Sequence, residues 1–138
     1  DAVQAAIEKL KELGVKRVVP LPVSGAFHSP LMAGAIEPMR AAFASVSFAE
    51  PAFPVVANVT AEPGAAASAI PGLLLRQITG QVRWVETMQR LKAMGAELFL
   101  EVGSGKVLAG LAKRIDREMN VLPCGTPEEI EKAAEAAK

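Results

Sequence analysis

The sequence predicts an α/β fold, because short apolar segments alternate with amphipathic helical segments along its 138 residues. Two further observations support this class. The segment AELFLEVG at 96–103 is almost continuously apolar, as buried parallel strands are. Hydrophobic residues make up 51% of the chain, whose length is sufficient for one domain with its own core. We therefore expect a parallel sheet covered by helices.

The amino-terminal segment predicts one helix followed by one strand. Apolar side chains recur at helical spacing over residues 3–13, and Gly14 predicts the end of that helix. The next stretch, VKRVVPLPVS at 15–24, predicts a strand. Pro20 and Pro22 restrict this strand to a sheet edge or its end, since proline has no N–H for a central ladder.

Ser29 and Pro30 predict the start of a second helix, since serine is a favoured N-cap and proline is tolerated in the first turn. The stretch PAFPVVANVTAEP at 51–63 predicts a second strand, closed by a Pro-Gly turn. Strands and helices then alternate to the carboxy terminus. The remaining predicted elements are helices at 65–80, 82–95, 104–120 and 126–138, and strands at 96–103 and 121–124.

Glycines and apolar spacing define two of these helices. Gly80 and Gly95 predict their carboxy-terminal ends. Trp84, Met88 and Leu91 fall on one face of the second of them. We expect that face to pack on the sheet.

Composition and charge exclude several classes of function. Lys and Arg total 15 and Asp and Glu total 15, whereas nucleic-acid binding requires a basic excess or a concentrated basic face. No apolar run is long enough to cross a bilayer, so we expect no membrane partner. One cysteine and one histidine are too few ligands for a structural metal site, and we expect no cofactor. The cysteine content favours a cytoplasmic protein.

His28, in the stretch VSGAFHSPLM, is the sole histidine and a candidate catalytic residue. A single histidine is more often structural. This one, however, lies between a predicted strand and a helix, at the sheet edge where parallel α/β folds bind ligands. None of the serines lies in a G-x-S-x-G nucleophile elbow. If His28 is a general base, its nucleophile therefore lies outside these residues.

A glycine-rich loop, Gly103-Ser104-Gly105-Lys106, is a second candidate site at the end of a predicted strand. A phosphate loop has more glycines and a Ser or Thr after the lysine, whereas Val107 follows here. Two interpretations remain open. The loop is either a tight strand-to-helix turn or a ligand-facing row of backbone N–H groups.

Four segments in a fixed order strongly resemble the carboxy-terminal part of malonyl-CoA:acyl carrier protein transacylases, relatives of polyketide synthase acyltransferase domains. They are PLPVSGAFHSPLM, PVVANVTAEP, LLLRQITGQVRWVETMQRL and LFLEVGSGKVLAGLAKRI. The resemblance implies the carboxy-terminal part of an α/β-hydrolase-like acyltransferase core, with the end of a small ferredoxin-like subdomain. Residues 1–22 would be the last helix and strand of that subdomain, and residues 23–138 the core portion. The amino-terminal half, which carries the family's nucleophilic serine, is expected to be absent.

The resemblance also implies ping-pong transfer of malonyl from malonyl-CoA to the pantetheine thiol of acyl carrier protein. His28 matches the family's catalytic base, and a backbone carbonyl near Gln77 is expected to orient its ring. Phe27 matches the position at which, in related domains, a bulky residue accompanies malonyl rather than methylmalonyl. The expected lining of the pantetheine channel is Gly103, Ser104, Gly105, Lys106 and Val107.

Lys16 and Arg17 have two interpretations: contact with an acidic carrier protein or coenzyme phosphates, or ordinary solvated charge. Three hypotheses remain for the chain as a whole. The first is the base-bearing part of the transacylase, inactive without its amino-terminal half. The second is a non-catalytic fragment that binds carrier protein. The third is a piece of a polyketide synthase acyltransferase domain.

Overall fold

The computed structural model describes residues 2–20 and 22–138 and has the mixed α/β architecture that the sequence predicts. The α-helices are α1 (Ala2–Glu12), α2 (Ile36–Phe43), α3 (Ile70–Thr79), α4 (Trp84–Ala93), α5 (Val107–Ile115) and α6 (Pro127–Ala136). The strands are β1 (Val56–Ala57), β2 (Glu62–Pro63), β3 (Leu98–Val102) and β4 (Asn120–Cys124), and 3-10 helices at Pro30–Ala35 and Ala67–Ala69 precede α2 and α3. In the described part of the chain, none of the helices has the length and apolar character needed to traverse a bilayer.

The carboxy-terminal part is built on a parallel pair of strands, β3 and β4. Leu98 lies opposite Asn120, and Val102 lies opposite Cys124. Parallel strands need a crossover connection, and α5 supplies it. The predicted parallel pairing is therefore confirmed for these two strands.

The hydrophobic core lies between this sheet and helices α4 and α5. Met88, Ala112 and Met119 are buried at its centre. The partly buried apolar side chains packed around them are Trp84, Leu91, Phe99, Ile115 and Val121. The helical spacing of Trp84, Met88 and Leu91 thus correctly predicted the face of α4 that packs inward.

The strand predicted at 15–24 is absent from the described residues of that segment; Leu21 lies outside them. Pro20 and Pro22 contribute no N–H to a ladder. The strands that the structure describes pair only with one another, so they offer this segment no partner. Residues 15–20 and 22–24 form no helix or strand and lie between α1 and the turn that contains His28.

The strand predicted at 51–63 is instead a short antiparallel hairpin, in which Val56 pairs with Pro63. The reversal includes Ala61, whose φ is 57°. This is the left-handed region, which alanine seldom adopts. An alanine at this position therefore does not predict the turn. The hairpin brings the residues between its strands close to the end of α3.

The apolar strand β3 is not buried on both faces within this chain. Leu100 is 45% exposed and Val102 is 83% exposed. The accessible surface of the 14.4 kDa chain is 10140 Å². A compact monomer of this mass exposes only about 6,800 Å². The helices of this chain therefore leave much apolar surface open.

Candidate active site

His28 lies in an exposed turn immediately before the 3-10 helix that begins at Pro30. Its φ is 59°, in the left-handed region, which costs a non-glycine residue roughly 1 kcal/mol or more. Ser29 holds the turn, since its hydroxyl donates to the Ala26 carbonyl at 2.7 Å and accepts from the Leu31 N–H at 3.3 Å. The N-cap role predicted for Ser29 is thereby confirmed. This local structure keeps His28 in an uncommon backbone conformation.

The imidazole of His28 contacts the carboxy-terminal end of α3. Its Nδ1 lies 2.8 Å from the backbone carbonyl oxygen of Gln77, which is 49 residues away in the sequence. A carbonyl oxygen only accepts, so this contact requires that Nδ1 carry a proton and donate it. In the neutral ring Nε2 then keeps its lone pair, which is the state that a general base needs.

The Gln77 carbonyl belongs to the last turn of α3, whose carbonyls lack intrahelical partners. Such a helix end carries the negative pole of the helix dipole, equivalent to about half an elementary charge. The pole favours a positively charged imidazole, as the aspartate does in a Ser-His-Asp triad. The end of α3 can thus both orient the ring and stabilise its cation without an acidic side chain.

Phe27 precedes His28 and folds its ring back over Gly25. A Cβ atom at Gly25 would lie 3.3 Å from Phe27 Cζ, so a glycine leaves room for the ring. The Phe27 side chain is nevertheless 58% exposed. An aromatic face therefore lies open beside the turn that presents His28.

The glycine-rich loop joins β3 to α5, and Gly103 (φ 124°) and Gly105 (φ 99°) adopt left-handed backbone conformations. The side chain of Glu101 accepts hydrogen bonds from the N–H groups of Leu108 at 2.9 Å and Ala109 at 2.8 Å. Its carboxylate occupies the start of α5, where a phosphate loop would hold a phosphate. This arrangement favours the interpretation of the loop as a strand-to-helix turn.

Lys106 is held by α6. Its Nζ lies 2.9 Å from one carboxylate oxygen of Glu129, and the other oxygen accepts from the Gly125 N–H at 2.9 Å. The hydrogen bond from Lys106, followed by the one from Gly125, lowers the pKa of Glu129 below its ordinary value. Ser104 and Val107, which lie in the same loop and at the start of α5, are exposed. Whether the loop lines a substrate channel stays a prediction.

Lys16 and Arg17 are exposed in the connection that follows α1. Within residues 2–20 and 22–138, neither side chain forms an ion pair. Both are accessible to a partner, and their contact with carrier protein or coenzyme phosphates stays a prediction. The same residues contain no group of three or more His, Cys, Asp or Glu side chains suited to a metal ion.

Sequence reasoning did not identify Glu101 and Glu129 as residues that shape the glycine-rich loop. For Glu129 a signal exists, because Thr126 and Glu129 have the spacing of a capping box, and Thr126 Oγ1 accepts from the Glu129 N–H at 3.3 Å. For Glu101 there is no local signal. Its partners lie seven and eight residues later and are reached only because the chain turns back at the loop.

Replacing Glu101 by alanine should destabilise the protein by about 1 kcal/mol, because the start of α5 would lose the acceptor of two backbone N–H groups. Denaturant unfolding of the variant, measured in a protein that contains this chain and has the length of its relatives, should show a lower midpoint with an unchanged slope. Glu97→Ala is the matched control, since Glu97 is an exposed glutamate just before the same strand. Equal midpoints for the two variants would contradict the capping role.

No protein-family model matches the sequence. Individual relatives do match it. A malonyl CoA-acyl carrier protein transacylase from Bacillus subtilis is 38% identical over 136 residues, which cover 99% of this chain and 43% of the relative. The transacylase of Salmonella typhimurium is 41% identical over 115 residues, which cover 83% of this chain and 37% of the relative. The chain thus spans about two fifths of the length of the curated relatives it matches.

Solved structures agree with these relatives. The acyl-carrier-protein S-malonyltransferase of Bartonella henselae superposes with a TM-score of 0.89 at 44% identity, covering 98% of this chain and 43% of its own. A malonyl-transacylase in complex with a type II polyketide synthase acyl carrier protein superposes with a TM-score of 0.91 at 36% identity, covering 98% of this chain and 44% of its own. By sequence and by fold, the chain belongs to the malonyl-CoA:acyl carrier protein transacylase family, of which it matches the carboxy-terminal part.

Proposed function

We propose that this chain carries the general base for malonyl transfer from malonyl-CoA to acyl carrier protein, and that His28 is this base. The observation that carries the proposal is the contact of His28 Nδ1 with the Gln77 carbonyl at 2.8 Å, which leaves Nε2 unprotonated in the neutral ring. The strained backbone of His28 supports the same role, since such strain clusters at functional sites. The relatives, all named for malonyl transfer, support the choice of substrate.

The nucleophile is a serine outside these residues, because no serine here lies in a nucleophile elbow. It belongs to the full-length enzyme, by which we mean a protein that contains this chain and has the length of its relatives. In the first half-reaction, Nε2 of His28 takes the serine proton as the oxygen attacks the thioester carbonyl. The imidazolium then protonates the coenzyme A sulfur as the C–S bond breaks. Malonyl-serine and free coenzyme A result.

The second half-reaction repeats these proton transfers with the carrier thiol. Nε2 takes the thiol proton of the pantetheine group, and the thiolate attacks the malonyl-serine ester. The imidazolium returns a proton to the serine oxygen as the C–O bond breaks. His28 is positively charged midway through each half-reaction. The helix end at Gln77 stabilises this cation both times.

We assign residues 23–138 to an α/β-hydrolase-like acyltransferase core and residues 1–22 to the end of a ferredoxin-like subdomain. The parallel strands β3 and β4, joined by α5 and covered by α4 and α6, support the first assignment. The helix α1 packs only loosely against the other described elements, as expected if it belongs to a separate unit.

The decisive test is an assay of malonyl transfer from malonyl-CoA to acyl carrier protein by the full-length enzyme and its His28 variants. Loss of transfer with retained carrier binding supports the catalytic proposal over a binding fragment. Transfer that survives removal of the imidazole contradicts it.

Replacing Phe27 by serine should raise methylmalonyl transfer relative to malonyl transfer. Phe27 directly precedes His28 in the exposed turn, and we propose that its ring crowds an α-methyl branch of the acyl group. Packing discriminates a single methyl group by about 1–3 kcal/mol, that is, roughly 10- to 200-fold. The measurement is competition between the two thioesters for limiting enzyme.

Phe53→Ser is the matched control for Phe27→Ser, since Phe53 is another exposed phenylalanine, 72% accessible. We expect it to leave the ratio of the two products unchanged. If Phe27→Ser leaves the ratio unchanged as well, the ring does not select the acyl group.

A further inference from the structure

The side chain of Gln77 offers His28 a second and opposing contact. The Gln77 carbonyl oxygen lies 2.8 Å from Nδ1, and the Gln77 side-chain Nε2 lies 3.4 Å from the same Nδ1. The carbonyl can only accept, so it requires a proton on Nδ1. The amide nitrogen can only donate, so it requires a lone pair there. The two groups of one residue therefore favour opposite tautomers, and only the first leaves Nε2 unprotonated.

The Gly80 carbonyl determines which of the two tautomers of His28 is favoured. It accepts a hydrogen bond from the Gln77 side-chain Nε2 at 3.0 Å. This contact also fixes which end of the amide is the nitrogen, since an amide oxygen there would face another oxygen. Anchored in this way, the amide stays at the long limit of hydrogen-bond distance from His28. The shorter contact with the backbone carbonyl then determines the tautomer.

Gly80 can hold this position only because it lacks a side chain. A Cβ atom at Gly80 would lie 2.6 Å from the Arg76 carbonyl oxygen and 2.8 Å from Val59 Cγ2. The φ of Gly80 is −88°, which any residue adopts, so the requirement is one of space and not of conformation. A side chain here would push the Gly80 backbone away from α3 or from the β1–β2 hairpin, and its carbonyl with it.

We propose that Gly80 is a positioning residue for His28, which acts by holding the Gln77 amide away from Nδ1. The hairpin and the end of α3 close on Gly80, its carbonyl anchors the amide, and the ring keeps the tautomer whose Nε2 accepts protons. The catalytic consequence rests on the proposed function of His28. The consequence for the tautomer does not depend on that function.

The first test is Gly80→Ala in the full-length enzyme. This substitution should release the Gln77 amide from the Gly80 carbonyl and lower kcat by several-fold to about tenfold. That range corresponds to the net free energy of one hydrogen bond. The KM for malonyl-CoA should stay unchanged, because neither Gly80 nor the amide is proposed to touch substrate. Gly72→Ala is the control, since Gly72 also lies in the α3 region but a Cβ there would meet nothing within 4 Å. An unchanged kcat for Gly80→Ala overturns the proposal.

A double-mutant cycle separates this effect from simple distortion of α3. Gln77→Leu removes the competing amide donor but keeps the backbone carbonyl. If the amide transmits the effect, Gly80→Ala should change kcat by less than about twofold in the Gln77→Leu background. If the loss is the same in both backgrounds, the substitution acts through the backbone, and the proposal is wrong.

The tautomer itself can be read from the ¹⁵N shifts of the His28 ring, with its signals assigned by their absence from His28→Ala. At a pH where the ring is neutral, the parent should show a protonated Nδ1, and Gly80→Ala should move population toward a protonated Nε2. A shifted tautomer in an enzyme whose His28→Ala variant stays active refutes the proposed function but not the positioning role. An unshifted tautomer in Gly80→Ala refutes the positioning role, whatever the activity of His28→Ala.

Discussion

Substitution of His28 should lower malonyl transfer by the full-length enzyme about 10²- to 10⁴-fold, the usual contribution of a general base. The expected loss lies in kcat, because both half-reactions pass a proton through Nε2. Acyl-enzyme formation and its discharge to carrier protein should both slow. Stopped assays of each half-reaction, with coenzyme A release and carrier acylation measured separately, check this directly.

The substituting residue matters, because the backbone of His28 is left-handed with φ 59°. Alanine at such a position is strained, so His28→Ala combines loss of the base with backbone strain. Asparagine tolerates the left-handed region and can donate its own amide to the Gln77 carbonyl. His28→Asn therefore removes the base while keeping the turn.

We expect the two His28 variants to lose transfer to a similar extent and His28→Asn to keep the thermal stability of the parent. Carrier-protein binding should be unaffected in both, which distinguishes a catalytic defect from a binding defect. Near-normal turnover by a folded His28→Asn variant would show that His28 is a structural residue of the turn.

The helices of this fold could be predicted from local sequence, because their determinants lie within a few residues. Gly14 and Gly95 end helices in left-handed conformations, with φ of 83° and 91°. Local sequence could not predict whether the strand expected at 15–24 forms, because a strand exists only if a distant segment pairs with it. The described residues provide no such segment.

The same distinction between local and distant determinants applies to the candidate site. The position of His28 in a turn between predicted elements follows from the sequence, and the role that we propose for it comes from family resemblance. The resemblance also predicts the contact with the Gln77 carbonyl, but the local sequence does not, because Gln77 lies 49 residues from His28. Neither source predicts the hydrogen bond between the Gln77 amide and the Gly80 carbonyl. Gly80 was recognised as a helix end, but its close approach to Val59 depends on a hairpin that the sequence did not reveal.

The 138-residue chain alone should not transfer malonyl, because it contains a base but no nucleophile elbow. A histidine without its serine has nothing to activate, and removal of one member of such a unit abolishes most of its rate. The chain should also associate or stay partly ordered. Leu31 and Val102 are more than four-fifths exposed, at 84% and 83%. Apolar surface of this kind favours association in water.

The sheet also indicates incomplete burial. β3 and β4 form a two-stranded sheet in the described part of the chain, so each has an outer edge without a paired strand. Beside α3 lies an open apolar groove of about 380 Å³, lined in part by Val55, Leu73 and Leu74. We expect the rest of the full-length enzyme to cover these surfaces. Co-expression of this chain with a second segment, which comprises the rest of the full-length enzyme, should then yield a single complex that transfers malonyl to carrier protein.

Complementation with the His28→Asn form of this chain separates folding from chemistry. The two segments should assemble into a complex of the same size and the same thermal stability, because His28→Asn changes no buried contact. Malonyl transfer by that complex should nevertheless stay about 10²- to 10⁴-fold below the complex with the parent chain. Size-exclusion chromatography, thermal unfolding and carrier acylation are the measurements. A cooperative, monomeric melt of the chain alone, together with measurable transfer, would contradict both the proposed division of the active site and the need for a covering segment.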